Sequence, residues 1–201
     1  MTRGGSTVNP IQRFSLWFGA AVNRSPGSWF DPSAMTLATC GRNGNVTARM
    51  VILKKFGQEG FVFYTNYSSR KGVQLAENPR AALVFYWPHL RRQVRIEGTV
   101  EPISREESEY YFHSRPREYQ LAASVSKQSE VIPSRKYLMN EFRQLENELA
   151  GRPVPLPTTW GGYRLLPGVF EFWRHRDNRL HDRFRYRRNE RDLWTFEYLA
   201  P

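Results

Sequence analysis

The residues best able to do chemistry in this sequence are cations placed where a phosphate could bind. Ser69-Arg70-Lys71 follows an apolar stretch and opens a segment with helical spacing. A helix N-terminus carries free N–H groups and a partial positive charge, so it attracts phosphate. A hydroxyl, a guanidinium and an ammonium at that point would complete a phosphate cradle. The alternative is that Arg70 and Lys71 are ordinary solvated surface residues.

Two further groups of cations allow similar interpretations. The segment YFHSRPR (111–117) combines Arg115 and Arg117 with hydroxyl and imidazole donors at a proline break. It predicts either an anion clamp or a solvated helix end. Arg49 and Lys54 flank an apolar strand centre. Five residues apart on a regular strand, they would lie on opposite faces unless a bulge intervenes.

The densest positive charge lies in segment 174–191, which contains eight arginines, two histidines and three acids. Strand-like alternation would place one set of side chains on a single face: Arg179, His181, Arg183, Arg185 and Arg187. Such a face could contact nucleic-acid phosphates or form one wall of a small-molecule site. It could also remain solvated and deter edge pairing.

The overall charge agrees with a phosphate-bearing ligand but does not choose among ligand classes. Among 201 residues, 30 Lys and Arg stand against 19 Asp and Glu, for a formal net charge of +11. Such a charge suits nucleic acid, an anionic membrane surface or a phosphorylated small molecule. Metal and nucleophile chemistry have little support, because the four histidines form no HExxH motif and Cys40 has no partner motif. Walker A and GxGxxG signatures are also absent.

The single cysteine predicts neither an internal disulfide nor a structural zinc site, so a reducing cytosol is the simplest compartment. The first ten residues, MTRGGSTVNP, lack the apolar core of a secretory signal. No run of 18 apolar residues occurs. We therefore expect a cytoplasmic protein without a membrane span.

The elements that must position these residues alternate between helix and strand patterns. Asn9 and Pro10 suit the start of a helix over 9–24 that carries one apolar stripe. The later patterns predict strands at 34–39, 46–56, 61–67, 81–87 and 93–103, and a helix at 68–78. Most of 104–150 is predicted to be helical, with Pro116 and Pro133 as breaks. A proline-rich link at 152–162 and strands at 163–173, 179–188 and 192–199 follow.

Successive strands followed by helices and then more strands predict an α+β fold that is mainly β. Its form would be an antiparallel barrel with peripheral helices. Chain length favours a single domain over residues 1–201, with residues 1–8 as a flexible arm. A second domain after the proline-rich link is less favoured, because about 40 residues are marginal for an independent core.

Nine short segments in unbroken order resemble one known family. They are RMVILK (49–54), FYTNYSSRKG (63–72), RQVRIEG (92–98), YFHSRPR (111–117), SVSKQSE (124–130), PLPTTWGGYRL (155–165), EFW (171–173), RLHDR (179–183) and LAP (199–201). Together they are similar to pyridoxine (pyridoxamine) 5′-phosphate oxidases. The resemblance implies a homodimer of FMN-binding split β-barrels. It also implies oxidation of pyridoxamine or pyridoxine 5′-phosphate to pyridoxal 5′-phosphate, with oxygen as acceptor and hydrogen peroxide as product.

The same resemblance implies roles for individual residues. Positions that match FMN contacts, some of them reaching across the dimer interface, are Arg49, Met50, Val51, Ile52, Leu53, Lys54, Tyr64, Thr65, Arg70, Lys71, Gln93, Gln128, Ser129, Trp173 and Arg183. Positions that match substrate contacts are Lys54, Tyr111, Arg115, Tyr119, Arg179, Leu180 and His181. Arg179 and His181, which would close over the pyridine ring, are the catalytic candidates. The flavin would supply the redox chemistry, so no metal is expected.

Two departures from the family pattern bear on the substrate. Tyr119 stands where the family usually has a small hydroxyl residue, and Arg174-His175 stand where Gln-Gly is common. Tyr119 leaves open a split-barrel flavin oxidase with a different substrate. A basic nucleic-acid-binding module is a further alternative, and it predicts affinity that falls steeply with salt. The aromatic residues fit that module less well, because most lie in apolar strand patterns.

Overall fold

The computed structural model describes residues 9–201, so the predicted arm over residues 1–8 lies outside the described residues. Within the described part, nine strands alternate with five α-helices. The elements are α1 (Pro10–Asn23), β1 (Ala34–Cys40), β2 (Val46–Ile52), β3 (Lys55–Gly57), β4 (Gly60–Asn66), α2 (Arg70–Glu77), β5 (Arg80–Trp87), a 3-10 turn (Pro88–Leu90), β6 (Arg92–Pro102), α3 (Arg105–Ser114), α4 (Arg117–Val125), α5 (Arg135–Glu148), β7 (Trp160–Arg174), β8 (Asp182–Arg188) and β9 (Trp194–Tyr198).

All nine strands form one antiparallel sheet. Its main path runs β2-β1-β5-β6-β7-β4-β3, and β8 and β9 branch from β7. Strand β7 is 15 residues long, and it pairs with β4 near its start and with β8 near its end. A bulge in β6 between Glu97 and Gly98 bends the sheet further. The curled antiparallel half-barrel, together with the five helices, confirms the predicted fold class.

Aromatic side chains fill the interior of this half-barrel, and α1 supplies the central one. The Asn9 side chain caps α1 by accepting the Ile11 N–H at 2.8 Å, as the sequence predicts. Phe14 on this helix is completely buried. Its ring centroid lies 4.9 Å from that of Phe61 and 5.0 Å from that of Phe85, both in edge-on geometry. Helix α1 is therefore anchored to the sheet through Phe14.

We expect Phe14→Ala to lower the free energy of unfolding by about 3–5 kcal/mol, because truncation leaves a cavity among rigid aromatic neighbours. Leu16→Ala is the matched control on the same helix, since Leu16 is 69% exposed. Its effect should stay within about 0.5 kcal/mol. Chemical denaturation of both variants measures the difference. Equal losses in the two variants would contradict an anchor at Phe14.

The strand predicted over 46–56 is interrupted in the structure. It ends at Ile52, because the Leu53 N–H donates to the Ser33 carbonyl and the Lys54 N–H donates to the Val62 carbonyl. The chain thereby leaves β1 and joins β4. This break is the irregularity that the sequence left open between Arg49 and Lys54, and it removes the constraint that strand alternation would impose on them.

The strand predicted over 179–188 is also shorter than expected. It begins only at Asp182. Arg179 lies in a turn with a left-handed φ of 61°, and its N–H donates to the Arg176 carbonyl. The prediction that Arg179 and His181 continue the alternating face of β8 was therefore wrong, because a turn sets their directions.

The region predicted to be largely helical divides into α3, α4 and α5 near the two expected proline breaks, Pro116 and Pro133. The Ser104 hydroxyl caps α3 by accepting the Glu107 N–H at 3.1 Å. No helix within residues 9–201 combines the length and apolar character needed to cross a bilayer.

Candidate functional site

A cavity of about 1060 Å³ lies between the β2–β4 side of the sheet and helices α2 to α5. Its volume is at the upper end of the range for small-molecule sites. Thirteen of the predicted site residues line it: Arg49, Met50, Val51, Ile52, Lys54, Tyr64, Thr65, Lys71, Tyr111, Arg115, Tyr119, Gln128 and Ser129. Residues from segments far apart in the sequence thus meet in one place.

The first group of cations in the cavity surrounds the start of α2. Ser69 is the N-cap of this helix and is completely buried. The Lys71 ammonium folds back to donate to the Ser69 hydroxyl at 3.1 Å and to Gln128 Oε1 at 2.8 Å. The Arg70 N–H donates to the Ser129 hydroxyl oxygen at 3.3 Å. The residues of the predicted phosphate cradle therefore lie together with the loop that follows α4.

Arg49 completes this group, and a network of hydroxyls fixes its guanidinium. It donates to the Leu37 carbonyl at 3.1 Å and to Thr39 Oγ1 at 2.7 Å, and it also contacts Thr47 Oγ1. Both threonine hydroxyls donate in turn to Gln74 Oε1, at 2.7 and 2.6 Å. Because Gln74 lies on α2, the orientation of Arg49 is tied to the helix that carries Lys71.

Positive charge in this group lacks a counter-ion. Burial, with a smaller contribution from Arg49, lowers the pKa of Lys71 to about 8. Burial and then Arg70 lower the pKa of Arg49. Within residues 9–201, no carboxylate forms a salt bridge with any of these three cations. Partly buried cations of this kind are stabilised by a bound anion.

A second group of cations centres on Arg115. Its guanidinium lies over the Trp160 ring at 4.2 Å and over the Phe112 ring at 4.8 Å. Burial lowers the pKa of Arg115. Its Nε and Nη2 are buried and have no hydrogen-bond partner within residues 9–201. Lys54 is nearby, with Nζ 6.0 Å from the Tyr111 ring centroid. A guanidinium that lines a cavity beside a lysine suits an anionic ligand.

Stacked aromatic rings form an apolar wall beside Arg115. The Tyr64 ring lies 3.9 Å from Tyr111 and 5.3 Å from Trp160, with nearly parallel planes in both pairs. Burial, with a smaller contribution from Glu107, raises the pKa of Tyr64 to about 12. Its hydroxyl therefore remains protonated at neutral pH and can act as a hydrogen-bond donor.

Only part of the predicted clamp in segment 111–117 faces the cavity. Arg117 turns away and donates to the Leu149 and Arg152 carbonyls, at 2.6 and 2.8 Å. His113 Nε2 lies 3.0 Å from the Val154 carbonyl oxygen. Both side chains tie α3 and α4 to the segment after α5, so Arg115 is the cation of this segment that reaches the cavity.

A separate face of the sheet carries three other predicted residues. Gln93 on β6 pairs in register with Trp173 on β7, and Trp173 pairs with Arg183 on β8. Directly paired residues of an antiparallel sheet lie on the same face, so the three form a row. They do not line the cavity of the same chain.

Arg179, Leu180 and His181 lie near this row, in the turn between β7 and β8. The His181 ring is 4.8 Å from the Trp173 ring, and its Nδ1 accepts the Arg176 N–H at 3.0 Å. A neutral His181 therefore carries its proton on Nε2. Like the row, these residues do not line the cavity of their own chain.

Leu53 and Arg70 are predicted site residues that do not line the cavity. The Leu53 side chain packs into the core and is 6% exposed, so only its main chain could reach a ligand. Arg70 meets the site through its N–H, as described above. The exposed Tyr119 side chain, on α4, does line the cavity.

Several arginines of segment 174–191 that have no predicted role in ligand binding are paired with nearby acids. Arg185 pairs with Glu197 at 2.6 Å, and Arg176 pairs with Asp182 at 2.7 Å. Arg188 pairs with Asp192. These ion pairs weaken the case for a continuous basic strip of the kind that nucleic-acid binding requires.

The cavity also contains residues that the sequence did not single out. They are Asn66, Glu118, Ala122, Ala123, Val125, Ser126, Leu138, Met139, Phe142 and Trp160. Trp160 belongs to a motif quoted above, PLPTTWGGYRL, but the sequence did not predict that its ring stacks on Arg115. The sequence did not predict that α5 residues line the cavity, because an amphipathic helix has the same apolar pattern whether it covers a core or a ligand.

Comparison with known proteins agrees with this geometry. The sequence profile described as pyridoxamine 5′-phosphate oxidase matches residues 29–147. A second, described as the pyridoxine 5′-phosphate oxidase C-terminal dimerisation region, matches residues 160–201. The chain is 50% identical to the pyridoxine/pyridoxamine 5′-phosphate oxidase of Gloeothece citriformis, over 100% of this chain and 92% of that protein. It is 47% identical to the pyridoxine-5′-phosphate oxidase of Bos taurus, over 98% and 80%.

Solved structures give the same picture. The structure of PhzG from Burkholderia lata, in complex with tetrahydrophenazine-1-carboxylic acid, superposes with a TM-score of 0.89 at 30% identity, over 98% of this chain and 94% of that one. A pyridoxamine 5′-phosphate oxidase-related, FMN-binding protein from Nostoc punctiforme shares the fold, with a TM-score of 0.75 at 20% identity, over 98% and 100%. The two profiles, the full-length relatives and the curled antiparallel sheet agree, and the chain belongs to the pyridoxine/pyridoxamine 5′-phosphate oxidase family.

Proposed function

We propose that this protein is an FMN-dependent oxidase of pyridoxamine 5′-phosphate and pyridoxine 5′-phosphate. Its product would be pyridoxal 5′-phosphate, with oxygen as the electron acceptor and hydrogen peroxide released. The observation that carries the proposal is the presence of two groups of unneutralised cations in one cavity, around Lys71 and around Arg115. Two cationic sites beside an aromatic wall suit a cofactor phosphate and a substrate phosphate.

The group at the start of α2 fits the FMN phosphate. Arg49, Arg70 and Lys71 would neutralise the dianion, while Ser129 and the helix N-terminus would offer hydrogen bonds. The strand residues Met50, Val51 and Ile52, together with Tyr64, Thr65 and Gln128, would line the rest of the cofactor site. Bound FMN would supply the two-electron oxidation.

The second group fits the substrate phosphate. Arg115 would supply its guanidinium, Lys54 would add a point charge, and the Tyr111 and Tyr119 hydroxyls would donate hydrogen bonds. Trp160 stacks on Arg115 and so aims its guanidinium. The role of these residues is to fix the phosphate so that the pyridine ring meets the flavin at contact distance.

We further propose that each site is completed by a second subunit. The chain carries Gln93, Trp173 and Arg183, with Arg179, Leu180 and His181, away from its own cavity. All of these except Gln93 fall within the profile of the C-terminal dimerisation region. In a twofold-symmetric homodimer, this group from one subunit would close the cavity of the other. The Arg179 and His181 side chains would then lie over the substrate ring, and Arg183 would contact FMN.

The absorbance spectrum of the purified protein tests this function. We expect visible flavin bands that bleach when pyridoxamine 5′-phosphate is added without oxygen and return, with peroxide, when oxygen is admitted. Failure to take up added FMN would refute the proposal. Bleaching by unphosphorylated pyridoxamine at an equal rate, or no bleaching by either amine, would instead favour an oxidase with another substrate, the alternative to which Tyr119 points.

The lowered pKa of Lys71 predicts a pH dependence of cofactor binding. The phosphate would be held by the charged ammonium, and the free protein loses that charge as pH rises through about 8. The FMN dissociation constant should therefore rise between pH 8 and pH 9.5, by at most about tenfold per pH unit. Lys71→Arg keeps its charge and should show a flatter profile. Parallel profiles in a fluorescence titration would contradict a role for Lys71 in binding the phosphate.

A further inference from the structure

We propose that Glu171 is a positioning residue that orients Arg183 for contact with FMN. This inference rests on the proposed function and adds to it, because it concerns an acid that does not line the cavity. Glu171 lies on β7 and is only 8% exposed. It is the one carboxylate among the buried polar side chains of residues 9–201.

The contacts of Glu171 are specific. Its Oε1 accepts two hydrogen bonds from Arg183, from Nε at 3.1 Å and from Nη2 at 2.9 Å. Its Oε2 accepts one from Arg95 Nη1 at 3.2 Å. Arg95 also pairs with Glu97 at 2.7 Å. The same face carries Arg185, which is occupied by Glu197 of β9. Glu171 is thus shared between two arginines, one on each flanking strand.

These contacts leave Arg183 with a defined number of free N–H donors. A guanidinium has five N–H donors. One each from Nε and Nη2 goes to Glu171, and one from Nη1 goes to the Ala200 carbonyl at 2.8 Å. Two N–H groups remain without a partner within residues 9–201. Because Arg183 is held on both sides, the direction of these two groups is fixed. Arg183 itself pairs in register with Trp173, in the row with Gln93.

A purely structural role explains this arrangement less well. Removing an ion from water costs free energy, and the attraction to its partner often does no more than offset that cost. A buried ion pair is therefore weak evidence for stability. A carboxylate that takes the Nε edge of a guanidinium does, however, fix the plane of the group and the direction of its other donors. Glu171 therefore differs from an apolar residue at the same position chiefly because it orients Arg183.

The test compares FMN affinity and thermal stability in the full-length protein. Glu171→Gln should raise the FMN dissociation constant about tenfold, as is typical when a residue that orients a ligand-binding group is changed. The matched control is Glu97→Gln, which removes the other carboxylate on Arg95 and does not contact Arg183. It should leave the dissociation constant within about twofold of wild type. Glu171→Asp, which keeps the charge and shortens the side chain, should give an intermediate value.

A double-mutant cycle separates orientation from general destabilisation. If Glu171 acts through Arg183, then adding Glu171→Gln to Arg183→Ala should weaken FMN binding no further. Additive losses, or an unchanged dissociation constant in both Glu171 variants, would overturn the inference. If Glu171→Gln does not fold, the cycle is measured with Glu171→Asp. A wild-type protein that takes up no FMN would overturn the proposed function itself, and this inference with it.

Discussion

Arg115→Ala should lower kcat/KM for pyridoxamine 5′-phosphate about 10²- to 10³-fold while FMN stays bound. Arg115 lines the cavity and is held against the Trp160 and Phe112 rings, so we expect its guanidinium to bind the substrate phosphate. Loss of one partner of a buried, charge-assisted hydrogen-bond pair costs about 2–5 kcal/mol, which corresponds to the expected fall. The cofactor should remain, because the cations around Lys71 form a separate group.

Steady-state kinetics and flavin absorbance measure these two outcomes together. The matched control is Arg117→Ala, two residues away, because Arg117 donates only to the Leu149 and Arg152 carbonyls. That variant should keep kcat/KM within about threefold of wild type. Loss of flavin from Arg115→Ala in proportion to the lost activity would contradict the separation of the two phosphate sites.

Mixing two inactive variants should restore activity if the site is shared between subunits. Arg115 lies in the cavity, whereas Arg179 lies in the β7–β8 turn away from it. In a random mixture of Arg115→Ala and Arg179→Ala subunits, half of the dimers are hybrids, and each hybrid has one intact site. We therefore expect about a quarter of the wild-type rate after the subunits are unfolded and refolded together.

A second mixture controls for unspecific recovery. Lys54 and Arg115 both line the cavity of one chain, so subunits with Lys54→Ala and Arg115→Ala cannot complement each other. That mixture should stay at the level of its components. No recovery in the test mixture would show that the two residue groups do not come from different subunits. Equal recovery in both mixtures would show that the regained activity is unspecific, and it would remove the support for a shared site.

The sequence by itself determined much of the architecture. Local signals such as the Asn9 cap and the proline breaks around α4 place elements correctly, because these effects act within one or two turns of chain. Alternation of apolar residues predicted the strands for the same reason. Composition and spacing left nucleic acid, a membrane surface and a phosphorylated small molecule as possible ligands. The family motifs added the candidate residues that would bind two phosphates.

Only the tertiary structure decided which cations act together. Arg49 and Lys54 line the same cavity because hydrogen bonds to Ser33 and Val62 break the strand between them. Arg115 is unsatisfied while Arg117 is occupied by carbonyls from a distant segment.

The same holds for the basic segment 174–191. Its arginines are divided among Glu171, Asp182, Asp192 and Glu197, and a turn takes Arg179 off the strand. The pairs of Arg183 with Glu171 and of Arg185 with Glu197 join different strands, so they form only when the sheet assembles. A pattern along the chain specifies the face on which a side chain lies, but the partner that satisfies its charge is fixed only when the sheet and helices pack together.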